Sequence, residues 1–84
     1  MLEFYLSDGS KVRMTAHFDL RYQRRKVALE EIKETIENPD SVTDDKKDAD
    51  GKKYWKRFGK YRIVVCLNHK KEVPLAKTIF KYLD

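Results

Sequence analysis

Ile63-Val64-Val65-Cys66-Leu67 is a run of five apolar side chains with no polar member, in a chain of 84 residues. Successive side chains of a strand point to opposite faces, so such a run is apolar on both and is predicted to be a central strand. Its expected neighbours are Lys52–Phe58 before it and Leu75–Leu83 after it. Gly59-Lys60 makes the first turn and Asn68 to Glu72 the second. A chain this short builds one domain, residues 1–84, and has no room for a Rossmann fold, a barrel or a solenoid array.

The N-terminal half supplies what covers such a sheet. Leu2–Leu6 and Lys11–Met14 flank Ser7-Asp8-Gly9-Ser10, and Asp-Gly between apolar runs predicts a hairpin. Thr15 is placed to cap a helix running to about Arg25, with Asp19 in its first turns. A second helix is expected from about Ala28, with Leu29, Ile32 and Ile36 on one face and Glu30, Glu31, Glu34 and Glu37 on the other. Asn38-Pro39 ends it. Residues 40–51 are polar apart from Val42 and Ala49 and read as a surface loop. The expected fold is α+β: an N-terminal β-hairpin, two α-helices on one face, and a three-stranded antiparallel meander.

Charge separates along the chain. Residues 28–50 hold nine acids and three bases, a net −6, which leaves +11 for the remainder of a chain whose total is +5. Lys52 to Arg62 contains six bases and no acid. This favours a basic functional face, an acidic face turned elsewhere, and a polyanionic partner, nucleic acid first. Two solvated faces with no partner are the plainer alternative.

Two constellations carry that reading. His17, Arg21 and Arg25 recur every four residues and share a helical stripe, with Arg24 beside them. Guanidinium forks suit phosphate, and an imidazole can move protons near neutral pH. The alternative is a solvated basic face or arginines paired with the acidic second helix. In the strand Lys53-Tyr54-Trp55-Lys56-Arg57-Phe58, alternation puts Lys53, Trp55 and Arg57 on one face and Tyr54, Lys56 and Phe58 on the other. A tryptophan flanked by cations can stack a base while its neighbours hold phosphates. Tyr61 and Arg62 would extend that surface. Lys77 and Lys81 either join it or face solvent, and Tyr82 is either a proton donor or a core aromatic.

Other chemistries lack their residues. There is no Gly-rich phosphate loop and no nucleophile elbow, and Asp44, Asp45, Asp48 and Asp50 do not match calcium-loop spacing. No metal or cofactor is expected. One cysteine, Cys66, excludes an internal disulfide and reads as a small core hydrophobe. No stretch approaches 18 apolar residues and Met1-Leu2-Glu3-Phe4-Tyr5 is no signal peptide, so a cytoplasmic protein with no membrane partner is expected.

His17-x3-Arg21-x3-Arg25-x-Val27, then Ala28-Leu29-Glu30-Glu31-Ile32 through Glu37-Asn38-Pro39-Asp40, and Gly51-Lys52-Lys53-Tyr54-Trp55-Lys56-Arg57 together resemble a family of small prokaryotic domains. That family shares a His-x3-Arg-x3-Arg opening and an Asn-Pro-Asp helix exit, and is similar to the BrnT toxins and more distantly to the RelE and ParE toxin fold. The resemblance runs from about Met14 to Tyr82. Arg25-Lys26-Val27 replaces the Lys-His-Gly-Val segment of BrnT-like toxins, and Lys77-Thr78-Ile79-Phe80-Lys81-Tyr82 replaces their Arg-rich closing element. The resemblance implies a RelE/BrnT-like fold and a free or ribosome-dependent ribonuclease, an mRNA interferase checked by a cognate antitoxin. In metal-independent cleavage the ribose 2′-hydroxyl attacks the adjacent phosphate. Arg21, Arg57 and Arg62 are the candidates for charge stabilisation, and His17 for proton transfer with Tyr82 as alternative donor. Arg25, Lys53, Trp55, Lys56, Tyr61 and Lys81 are the candidates for holding RNA. The other readings are a non-catalytic RNA-binding or protein-interaction module, and a topoisomerase-directed inhibitor of ParE type that leaves RNA intact.

Overall fold

A computed structural model describes residues 2–83. In chain order these form β1 (Glu3–Tyr5), β2 (Lys11–Met14), α1 (Ala16–Arg24), α2 (Leu29–Glu37), β3 (Ser41–Asp44), β4 (Gly51–Phe58), β5 (Tyr61–Asn68) and β6 (Leu75–Leu83). The strands make one six-stranded sheet in the order β1-β2-β6-β5-β4-β3. The α+β class, the two helices and the antiparallel run β4-β5-β6 follow the sequence expectation, and β5 lies between two strands.

Two features correct it. The hairpin joins the meander, because β2 pairs in parallel with β6, Arg13 opposite Leu75 and Met14 opposite Ala76. The sheet is therefore mixed. Residues 40–51, expected to be loop, contain β3. Every residue of β3 is exposed, so no apolar alternation marks it in the sequence. Its partner creates it: Ser41 to Asp44 lie opposite Trp55 to Lys52. Asp40 starts the pairing, its N–H donating to the Trp55 carbonyl (2.7 Å) and its carboxylate accepting from the Arg57 N–H (2.8 Å).

Local chemistry sets both helices. Gly9 takes φ +87 in the first hairpin, a conformation open to glycine at little cost. The Thr15 hydroxyl accepts from the Phe18 N–H (3.0 Å) and donates to the Lys77 carbonyl (3.2 Å), so the cap of α1 also ties it to β6. Past Arg25 the chain turns through Lys26 at φ 55. There the Val27 N–H donates to Tyr22 (3.1 Å) and the Lys26 N–H to Gln23 (3.2 Å), a Schellman closure. Glu31 opens α2 by accepting from the Ala28 N–H (3.0 Å).

The helices cover one side of the sheet. Phe18 from α1 and Ile32 from α2, both fully buried, pack with Val12, Ile63, Val65, Leu67, Ala76 and Ile79. Burial of each large side chain stabilises the fold by about 1.5–3 kcal/mol. Val64 and Cys66 are equally buried but lie outside this cluster, because alternation turns them to the opposite face. That second face positions the candidate site.

Candidate nucleic-acid interface

The open face is built from three cross-strand rows. Arg57, Arg62 and Tyr82 form one, Trp55, Val64 and Phe80 the next, and Lys53, Cys66 and Thr78 the third. No helix belongs to these rows; in the middle row Val64 is flanked by the longer Trp55 and Phe80. That explains how Val64 stays at 1% exposure under Trp55 and Phe80. β3 widens the face, since Ser41 and Thr43 lie opposite Trp55 and Lys53, and the Trp55 indole donates to the Thr43 hydroxyl at 2.9 Å.

α1 continues from β2 and lies along β6, which brings its basic stripe to the same face. Arg21 and Arg25 place their guanidinium carbons 5.9 and 5.8 Å from the Phe80 ring centre. His17 Nε2 lies 3.5 Å from the Thr78 hydroxyl. Phe80 stacks beside Tyr82 (6.1 Å), and Arg62 sits over Tyr82 at 5.8 Å. The result is a continuous band of guanidiniums and rings from α1 to β5. Such cation–π contacts hold the guanidinium planes while leaving their donors to solvent.

Of the residues expected to form a site, the structure brings together His17, Arg21, Arg25, Lys53, Trp55, Arg57, Arg62 and Tyr82. It does not bring Lys56, Tyr61 or Lys81 with them. Lys56 is on the helix-covered side, donating to the Asn38 carbonyl (2.7 Å) and pairing with Asp40 (3.7 Å). The Tyr61 hydroxyl donates to Glu31, which together with burial raises its pKa, and Lys81 lies 4.3 Å from the Tyr61 ring centre. Tyr82 is 42% exposed, so it is not a core aromatic. Phe80, not singled out in the sequence, is the centre of the band; its i, i+2 spacing to Tyr82 was the available signal.

Ion pairs mark the contrast. Among the described residues, the pairs join Lys11 to Glu3, Lys52 to Asp44, Lys56 to Asp40 and Lys77 to Asp48. None of these cations belongs to the band, and Arg21, Arg25, Lys53 and Arg62 have no carboxylate within ion-pair distance among those residues.

The acidic stretch does not all turn away from this face. Glu30 and Glu34 are exposed on α2, but Asp44 and Asp45 line a recess with Lys46, Lys47, Lys53, Trp55 and Phe80. A clasp fixes this rim. The Asp48 carboxylate accepts from Lys77 Nζ and from the Asn68 amide, both at 2.8 Å, and these bonds hold its pKa down to about 2. Gly51 closes the same loop, where a Cβ would meet the Asp45 Cβ at 2.9 Å.

Burial raises the pKa of the Cys66 thiol, which leaves it a poor nucleophile. No group of three or more His, Cys, Asp or Glu among the described residues is arranged to hold a metal ion. No described helix is long and apolar enough to cross a membrane. No family model, curated protein or solved structure matches the chain.

Proposed function

We propose that the open face binds single-stranded RNA. The observation that carries this reading is the band itself: rings and guanidiniums interleaved on one sheet face, with Arg21, Arg25, Lys53 and Arg62 free of ion pairs among the described residues. Trp55 and Phe80 lie one strand apart on either side of β5, about 10 Å across, which suits unstacked bases better than the edge of a duplex. The cations around them meet the backbone. Thr78 and Tyr82 add hydroxyls that can meet a ribose 2′-hydroxyl, the group that separates RNA from DNA. The test is fluorescence anisotropy with one labelled sequence as RNA, as DNA and as RNA duplex. The single-stranded RNA binds tightest; a duplex bound equally well would defeat the reading.

A second reading, metal-independent RNA cleavage, draws on the pairing of Arg62 with Tyr82 in the row of Arg57. There a phosphate held by two guanidiniums would meet a phenol able to protonate the leaving oxygen. The proton acceptor is what this arrangement lacks. His17 meets Thr78, four residues from Tyr82 along β6, or about 13 Å of strand. Binding is therefore the better supported function. Primer-extension mapping of a messenger RNA in a translating extract decides: discrete cuts that disappear with Tyr82→Phe and Arg62→Ala establish cleavage, and an intact message leaves binding.

A further inference from the structure

The basic stripe of α1 does more than border the sheet. His17, Leu20, Arg21, Arg24 and Arg25 line a recess of about 290 Å³ with no carboxylate in its wall among the described residues. The acid of this helix, Asp19, lies two residues from His17 and Arg21, on the far side of the axis, where it accepts from the Gln23 amide at 3.2 Å. Two of the three guanidiniums are set against one ring, within 5.9 Å of the Phe80 centre. Like charges converge here without a carboxylate counterion among the described residues. A stripe meant only for solubility needs neither a shared aromatic support nor a concave wall.

The chemistry of the wall selects the ligand. Guanidinium forks match phosphate oxygens two at a time, and three forks offer more donors than one internal phosphodiester, with its single charge, can use. A terminal phosphate carries close to two negative charges at neutral pH and three acceptor oxygens. We infer that the α1 recess is a terminal-phosphate site, which takes the phosphorylated end of the strand whose bases lie on the open face. The site deepens the RNA reading and rests on it. Phe80 links the two, since its ring supports Arg21 and Arg25 and also belongs to the Trp55 row. Arg24 lines the recess, and among the described residues the guanidiniums set over Phe80 are those of Arg21 and Arg25, so Arg24 serves the end group rather than the band.

The test compares one short RNA with a 5′-phosphate, with a 3′-phosphate and with hydroxyls at both ends, by anisotropy on the full chain. One phosphorylated form is expected to bind about tenfold tighter than the hydroxyl form, the scale of an added charge-assisted contact. Arg24→Gln should abolish that preference while leaving the hydroxyl form within about twofold, as befits a residue outside the band. Lys70→Gln, in the exposed turn before β6, should change neither. Thermal melting confirms that both variants fold. Equal binding of all three RNAs overturns the inference and leaves the RNA reading standing. Failure of every RNA to bind defeats the RNA reading, and titration with inorganic pyrophosphate, followed by the amide resonances of α1, then decides the recess. Saturable shifts that vanish in Arg24→Gln support it, and their absence overturns it.

Discussion

Lys81 and Tyr82 are neighbours on β6 and meet different worlds. Lys81 sits against Tyr61 on the helix-covered side, where Tyr61 is itself tied to Glu31 of α2. Tyr82 stands on the open side under Arg62, and Arg62 has no carboxylate partner among the described residues. β4 repeats the contrast, with Lys56 bound to Asn38 and Asp40 on one side and Trp55 among cations on the other. One face has its charges occupied by protein groups and its apolar residues covered by helices. The other sets Arg21, Arg25 and Arg62 against rings, and its apolar Val64 is flanked in its row by Trp55 and Phe80 rather than by a helix core. A basic strand therefore does not make a basic surface; alternation decides which of its cations a ligand can reach.

The contrast is broken most severely by removing the helix-side core. Phe18→Ala should cost about 3–5 kcal/mol by urea denaturation, a large share of the stability of a domain this size. Trp55→Phe keeps a ring on the open side and loses the bond to Thr43. It should cost about 1 kcal/mol in the same assay. A comparable loss in the two variants would mean that the open face is structural rather than a surface for a ligand.

Next in size is a paired binding comparison. Arg62→Ala should weaken single-stranded RNA binding about tenfold, which is ~1.4 kcal/mol, whereas Lys81→Ala should stay within about twofold. Salt sharpens it. If Arg21, Arg25, Lys53 and Arg62 each meet a phosphate, the log–log salt slope is about −2.8, and each removed contact lowers its size by about 0.7. Lys56→Ala should leave that slope unchanged.

The smallest expected effect concerns the rim. The carboxyl of Asp48 is held at about 2 against an ordinary 3.8, a depressed folded-state value. Its bonds to Lys77 and Asn68 therefore stabilise the fold fully above about pH 4, and that contribution fades as pH falls toward 2. Thermal midpoints of wild type and Asp48→Asn should differ at pH 5 and converge near pH 2. A constant difference would place the effect of the substitution outside this titration.

Much of this was legible in the residues. The five-residue apolar run located β5, Asp8-Gly9 the hairpin, Thr15 the cap of α1, and Asn38-Pro39 the end of α2, because each signal is local. The parallel pairing of β2 with β6 was not legible, since it joins residues about 60 apart and no local pattern encodes a partner. β3 was hidden for a related reason: its residues are strand only because β4 offers an edge. Within the site, alternation put Trp55 and Lys56 on opposite faces, yet Lys56 was still grouped with Trp55 as an RNA contact, and its bonds to Asn38 and Asp40 separate them. Alternation could not bring α1 to Phe80, because that contact depends on where β2 docks. Tyr61 and Lys81 were grouped with the wrong face for want of a register between strands; the pairing of Ile63 with Lys81 settles it.

The chain has a single tryptophan, and Trp55 lies in the middle row of the open face. Its fluorescence during titration with a short single-stranded RNA reads the central claim directly. Saturable quenching, weakened by Arg62→Ala and by added salt but not by Lys81→Ala, is the predicted result. Binding that leaves Trp55 unquenched, or that falls equally in the Arg62 and Lys81 variants, would contradict the assignment of the ligand to the open face.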